Sequence, residues 1–320
     1  MDIYVKKAII HQFSPDDTDL YLADKFLNIT PKIEEYLRKK IERVYSDEAR
    51  TGIFEEDNPF LEMISDDLLE TSVAVAEEFV VSENQKTNDL VFIQFSKEGV
   101  DHFAFLRIAL RETLTHLGGE VDNPIKLTQN NLPGFGTGAD EALVINLQSR
   151  KYHLIEKRIK YNGTFLNYFS ENLLQAQPKI SPKKSIKALE KTAQKIAESF
   201  NTDDFQFQSK VKSAIFNHIE EENKLSPEKL ADDLFDDNLT ARLSFIDQVK
   251  EAVPEPVTFE EIDASRQLKK FENQKLSLSN GIELIVPNNV YEDAESVEFI
   301  LNENGTYSIL IKNIEDIQSK

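Results

Sequence analysis

Four lysines, Lys184, Lys187, Lys191 and Lys195, recur at intervals of three and four residues between Pro182 and Phe200. At about 100° per residue this spacing gathers four ammonium groups within an arc of roughly 80° on one side of a helix. Ile186, Leu189, Ala193, Ile196 and Phe200 fall on the other side. The chemistry such a ridge offers is electrostatic: it can displace condensed counterions from a phosphate backbone, or it can be the solvated face of an amphipathic helix. Lys183 adds a further amino group at the start of the segment. Upstream, Arg150, Lys151, Lys157, Arg158 and Lys160 form a second basic set, interleaved with Tyr152, His153 and Tyr161, whose rings can stack on bases or pack into a core.

Both sets lie in residues 150–212, where thirteen basic residues face six acidic ones, a local excess of seven in a chain of net charge −20. The remainder therefore sums to −27. Such a chain is repelled by nucleic acid at long range, yet a localised basic face can still collect phosphates.

Other chemistries find little support. Cysteine is absent, which excludes disulfides, thiol nucleophiles and Cys-ligated zinc. The five histidines, His11, His102, His116, His153 and His218, show no metal-ligand spacing. Acidic clusters such as Asp66-Asp67 and Glu220-Glu221-Glu222 are expected by chance among 57 acids, and no strand-borne carboxylate pair with a following lysine stands out as a nuclease site. Gly134-Phe135-Gly136-Thr137-Gly138 resembles a phosphate-cradling loop only superficially, because Ala139-Asp140 follow it and a strand comes next. Residues 225–251 could pass for a helix-turn-helix, but Asp232, Asp233, Asp236 and Asp237 would then face phosphates, and the reading helix offers only Arg242 and Lys250. No catalytic residue, metal ligand or cofactor site is assigned. No apolar run is long enough to span a bilayer and no signal peptide is visible, so a cytoplasmic protein is expected.

The elements that must position the basic residues read as an α+β fold. Strands are expected at residues 3–13, 20–29, 90–95, 102–110, 125–128 and 141–148, with helices at about 31–49, 60–82 and 165–174. Thr30-Pro31, Ser181-Pro182 and Ser226-Pro227 each pair a capping hydroxyl with a proline at the first helical position. They announce a helix after residue 30 and a set of short helices over about 182–252. Strands return at 276–278, 282–286, 297–302 and 306–312, with Asn304-Gly305 as a type I′ hairpin signal. The expected organisation is an α+β domain at 1–175 with a mostly antiparallel sheet, a helical segment at 176–255 and a C-terminal β-hairpin region at 256–320. The last hairpin offers an edge that a partner subunit would cover, so a homodimer is expected.

The order of several short segments resembles the bacterial nucleoid-associated protein family of the NdpA/YejK type. These are Ile9-Ile10-His11-Gln12-Phe13, Tyr45-Ser46 before Gly52-Ile53-Phe54, the strand at 90–95 with its partner, and Ala139-Asp140 ahead of 143–147. They continue with residues 152–158 running into Phe165-Leu166-Asn167-Tyr168-Phe169, and with Phe271 through the strand at 306–311. The resemblance covers nearly the whole chain and rests on order and spacing. It implies a cytoplasmic protein on the bacterial nucleoid, without catalytic activity.

Together these readings favour a non-enzymatic nucleoid-associated protein that meets DNA through Arg150, Lys151, Lys157, Arg158, Lys160, Lys183, Lys184, Lys187, Lys191 and Lys195, by phosphate contacts with little base readout. The alternatives are an acidic interaction module recruited to the nucleoid by a protein partner and, further off, a metal-dependent nuclease of a mobile-element or defence system.

Overall fold

A computed structural model describes residues 2–14, 19–79, 87–116, 125–161, 163–202, 204–259 and 261–318. Ser82, expected at the end of the second helical zone, and Asp203, within the basic stretch, lie outside them. The chain divides into two compact units, Met1–Ser181 and Pro182–Lys320.

Unit 1 contains β1 (Ile3–Ser14), β2 (Asp19–Tyr21), α1 (Pro31–Glu42), β3 (Arg50–Ile53), α2 (Pro59–Glu62), α3 (Leu68–Glu78), β4 (Asn88–Lys97) and β5 (Val100–Ala109). It continues with β6 (Arg111–His116), β7 (Ile125–Asn131), β8 (Glu141–Asn146), β9 (Lys151–Ile155), β10 (Ile159–Tyr161), β11 (Thr164–Leu166) and a π-helical turn, Phe169–Leu173. Among the described residues the main sheet has seven strands in the order β2-β1-β4-β5-β8-β9-β3, every neighbouring pair antiparallel.

Strand alternation sends successive side chains to opposite faces, and both faces of this sheet are buried. Leu90, Phe92, Phe103, Phe105, Leu143 and Ile145 pack against Phe60, Leu68, Val75 and Phe169 on one side. Val91, Ile93, Ala104, Leu106, Ala142 and Val144 pack against Leu37 and Ile41 of α1 on the other. Thr30 caps α1 by accepting a hydrogen bond from the Ile33 amide at 3.4 Å, with Pro31 behind it.

Several expected elements differ: α1 stops at Glu42, short of residue 49, and the helical zone at 60–82 splits into α2 and α3. Residues 22–30 form no strand: the Leu27 amide donates to the Ala8 carbonyl at 2.8 Å and the Ala23 amide to Nδ1 of His11 at 3.0 Å, so β1 meets this segment through single bonds and not a ladder. The helix expected over 165–174 begins only at Phe169, because Thr164–Leu166 pairs with Ile159–Tyr161 as a hairpin.

Unit 2 contains α4 (Pro182–Ser199), α5 (Phe205–Glu222), β12 (Lys224–Leu225), α6 (Pro227–Leu234), α7 (Leu239–Ala252), β13 (Val257–Thr258) and α8 (Ser265–Phe271). Then come β14 (Asn273–Ser277), β15 (Glu283–Pro287), α9 (Asn288–Tyr291), β16 (Val297–Leu301) and β17 (Tyr307–Ile311). Its core joins Ile186, Leu189, Ala193 and Ile196 of α4 to Val211 and Ile215 of α5, Phe245 and Val249 of α7, and Phe271.

The β16–β17 turn is not type I′. Of Asn304 and Gly305 only the glycine takes a positive φ, 78°. The Gly305 amide donates to the Asn302 carbonyl at 2.9 Å and the Asn302 amide to the Thr306 carbonyl at 2.8 Å. This is the three-residue form in which a type I turn is followed by a left-handed glycine.

Candidate nucleic-acid interface

The helix α4 is amphipathic as its spacing demands: Ile186, Leu189, Ala193 and Ile196 are buried while Lys183, Lys184, Lys187, Lys191 and Lys195 are exposed. Lys184, Lys187 and Lys191 have no hydrogen-bond or ion-pair partner among the described residues. Lys195 donates to Oε1 of Gln248 on α7 at 3.1 Å. The acids of α4 are engaged elsewhere, Glu190 by Lys270 at 3.3 Å and Glu198 by the Gln194 amide at 3.3 Å.

The first turn of α4 carries Lys183 and Lys184 and no acid. This opposes the helix dipole, whose positive end favours carboxylates and repels ammonium groups by about 0.3–1 kcal/mol each. In α1 the arrangement follows the dipole, with Glu34 in the first turn and Lys39 and Lys40 in the last. The α4 N-terminus thus concentrates positive potential where the fold alone would favour a negative side chain.

The basic set in unit 1 is divided by the strand it brackets. Arg150 and Lys151 sit at the start of β9, Lys157 and Arg158 beyond its end, and Lys160 in β10. Arg150 takes a left-handed φ of 60° in the turn from β8, and its guanidinium lies 3.1 Å from Glu56. Lys157 donates to Asp140 at 2.8 Å. Burial pushes the Asp140 carboxyl up, but the hydrogen bonds from Lys157 and the Ala109 amide outweigh it and hold that carboxyl below its usual range. Arg158 Nη2 donates to the Phe165 carbonyl at 3.0 Å. Lys151 and Lys160 are exposed, and Lys160 has no partner among the described residues.

Two of the interleaved rings, Tyr152 and His153, pack instead of presenting a face, and the side chain of Tyr161 lies outside the described residues. Tyr152 is buried against Phe54, ring centroids 4.4 Å apart, and burial drives its phenol up to about 12. His153 is buried against Tyr45 at 4.7 Å. Among the described side chains of this region Phe165 is an exposed aromatic, which the spacing of charges did not single out. Its signal was available only in the register of the β10–β11 hairpin, where it stands directly across from Lys160.

The glycine loop turns its carbonyls inward. Nζ of Lys40 donates to the oxygens of Pro133 at 3.4 Å and Gly134 at 2.9 Å, and also to that of Thr137. A loop that cradles phosphate offers amide hydrogens; this one offers oxygens to a cation. In the α6–α7 pair, Arg242 is held by Asp232 at 2.9 Å, which removes the main cation of the would-be reading helix. Asp67 caps α3 by accepting from the Leu69 amide at 2.9 Å, and Glu222 pairs with Lys229. Among the described residues no group of three or more His, Asp or Glu side chains is placed to hold a metal ion.

In comparisons with known proteins, a family model described as nucleoid-associated protein YejK matches residues 9–317. No curated protein matches the chain.

Proposed function

The chain belongs to that nucleoid-associated protein family, and we propose that it binds DNA non-specifically on the nucleoid, through phosphate contacts and without catalysis. The observation that carries the reading is the run of three exposed ammonium groups, Lys184, Lys187 and Lys191, on one ridge of α4, none with a partner among the described residues. Lys183 and Lys195 extend that ridge, and Lys160 and Lys151 add exposed lysines from the second basic set. Arg150, Lys157 and Arg158 are already engaged by Glu56, Asp140 and the Phe165 carbonyl, so they contribute less. Phosphates contacted by point charges on a helix face carry no sequence information, which is why the expected binding is indifferent to sequence. Titration of the purified chain with duplex DNA over a series of salt concentrations tests the reading: a steep fall in affinity with salt supports it, and no binding at low salt removes it.

A second reading is favoured by a separate observation. Unit 2 has an open groove in which five acids, Glu221, Glu222, Asp232, Asp233 and Glu292, outnumber two lysines, Lys210 and Lys229. An acidic excess of this kind suits a basic protein partner, so the chain would reach the chromosome through that partner. Absence of DNA binding by the isolated chain selects this alternative. A homodimer in the cytoplasm is part of the proposal in either case. No described helix is long and apolar enough to cross a membrane.

A further inference from the structure

One face of the β10–β11 hairpin packs on the core of unit 1. Its Ile159–Leu166 pair packs against the core that includes Phe92 and Phe105. The next pair, Lys160–Phe165, must point the opposite way because strand side chains alternate. Phe165 is 59% exposed and makes no ring contact among the described residues. Phe26, the other exposed phenylalanine, has the Lys7 ammonium over its ring at 5.3 Å. Arg158 runs along the same hairpin, its guanidinium anchored by one hydrogen bond to the Phe165 carbonyl at 3.0 Å and otherwise exposed. Among the described residues an aromatic ring without a ring contact is thus flanked by an ammonium without a partner and a positioned guanidinium, in a chain whose net charge is −20.

We propose that the Lys160–Phe165 face of this hairpin is a base-stacking platform that takes an unpaired nucleobase on Phe165 while Lys160 and Arg158 receive the flanking phosphates. Every base has a π-face, so stacking adds affinity without sequence preference, and charges beside the ring hold the backbone that carries the base. In a duplex the base faces are covered by their neighbours. The Phe165 ring therefore adds affinity for single strands alone, and single-stranded DNA becomes the preferred ligand class of the hairpin. This rests on the DNA-binding reading above and assigns it a substrate form.

The chain contains no tryptophan, so Phe165→Trp places a single indole reporter at the platform. The full-length variant is titrated with oligo(dT) and with a duplex of equal length, while binding is followed independently by the anisotropy of labelled DNA. Oligo(dT) is expected to quench the indole emission and the duplex to leave it unchanged. Phe165→Leu, which keeps an apolar side chain but removes the ring, is expected to weaken oligo(dT) binding about tenfold. Its duplex affinity and its far-UV circular dichroism should stay at the wild-type values. Emission that does not change while anisotropy reports saturation with oligo(dT) overturns the platform and leaves the DNA-binding reading in place. Equal losses on both DNA forms, or a change in mass on Phe165→Leu that marks the ring as a protein contact, overturn it too. Absence of binding to either DNA form removes both proposals together.

Discussion

Lys40 Nζ donates to the Gly134 carbonyl at 2.9 Å from a side chain with no exposed surface, joining the last turn of α1 to a loop 94 residues further along the chain. The same ammonium lies 4.5 Å from the Tyr36 ring centroid, and the Tyr36 hydroxyl donates to the Pro133 carbonyl at 3.0 Å. A segment rich in glycine, which has little side-chain surface of its own to bury, is held in one conformation by a buried cation.

That arrangement gives stability a pH dependence. Burial, followed by the charges of Arg43 and Arg111, lowers the Lys40 pKa from 10.5 to about 8, with Asp140 opposing. Between those values the unfolded chain binds more protons than the folded one, so this group makes stability rise with pH across that window. The unfolding free energy of wild type relative to Lys40→Met should therefore increase from pH 8 to 10.5 in urea melts. A difference that stays flat across the window would contradict the assignment.

Gly52 lies directly across the β3–β9 ladder from Tyr152, and a Cβ at Gly52 would sit 2.3 Å from the Tyr152 hydroxyl oxygen. The ring is buried and packed on Phe54, so making room for the new atom disturbs the core. Gly52→Ala is expected to cost about 1–3 kcal/mol of stability. Gly136→Ala, where nothing lies within 4 Å of the new atom, should change it little. Thermal melts compare the two.

Arg107 and Glu141 form a buried ion pair on adjacent strands, with Arg107 Nη1 also donating to Asn88 at 2.9 Å. Burial pushes the Glu141 carboxyl up and the Arg107 charge opposes it. Arg107→Met strands that carboxylate and should cost about 3–5 kcal/mol. The double change Arg107→Met with Glu141→Leu should recover most of the loss in urea unfolding, because no buried charge is then left unpaired.

For DNA, Lys184→Gln, Lys187→Gln and Lys191→Gln should each flatten the plot of log affinity against log salt by about 0.9, and Lys195→Gln by no more. Lys157→Gln should do less, since Asp140 already holds that ammonium. Glutamine is an adequate helix former and the ridge faces solvent, so melting temperatures should not move. An unchanged slope in the quadruple variant removes α4 from the interface.

The β16–β17 hairpin exposes Ile300, Leu301 and Leu310, Leu301 to 63%. Light scattering at micromolar concentration is expected to give twice the monomer mass, and Leu301→Asp with Leu310→Asp to halve it. A monomer mass for the wild type refutes the dimer.

Signals that act within three or four residues were legible without coordinates. Thr30-Pro31 and Ser226-Pro227 start helices, with Thr30 and Ser226 accepting amide hydrogen bonds as capping residues do. The buried and exposed faces of α4 follow from side-chain period alone, and the alternation over 90–110 delivered the central β4–β5 pair. Where two local signals competed, a distant residue decided. Residues 22–30 have the composition of a strand but meet β1 through the Ala8 carbonyl and the His11 ring. Phe165 looks like the start of a helix until Ile159–Tyr161 pairs with it.

The sequence by itself determined the charge of the ridge, the period that places it on one helix face and the antiparallel α+β character, because these depend on composition and on neighbours within a turn or a strand. Only the tertiary structure decided which cations remain free. Arg150 and Glu56, Lys157 and Asp140, and Lys195 and Gln248 are well separated in sequence and meet only when their elements pack. It likewise turned Lys40 inward and Phe165 outward. Coulomb and hydrogen-bond energies fall with distance in space, and distance along the chain says nothing about them until the sheet and its helices have closed.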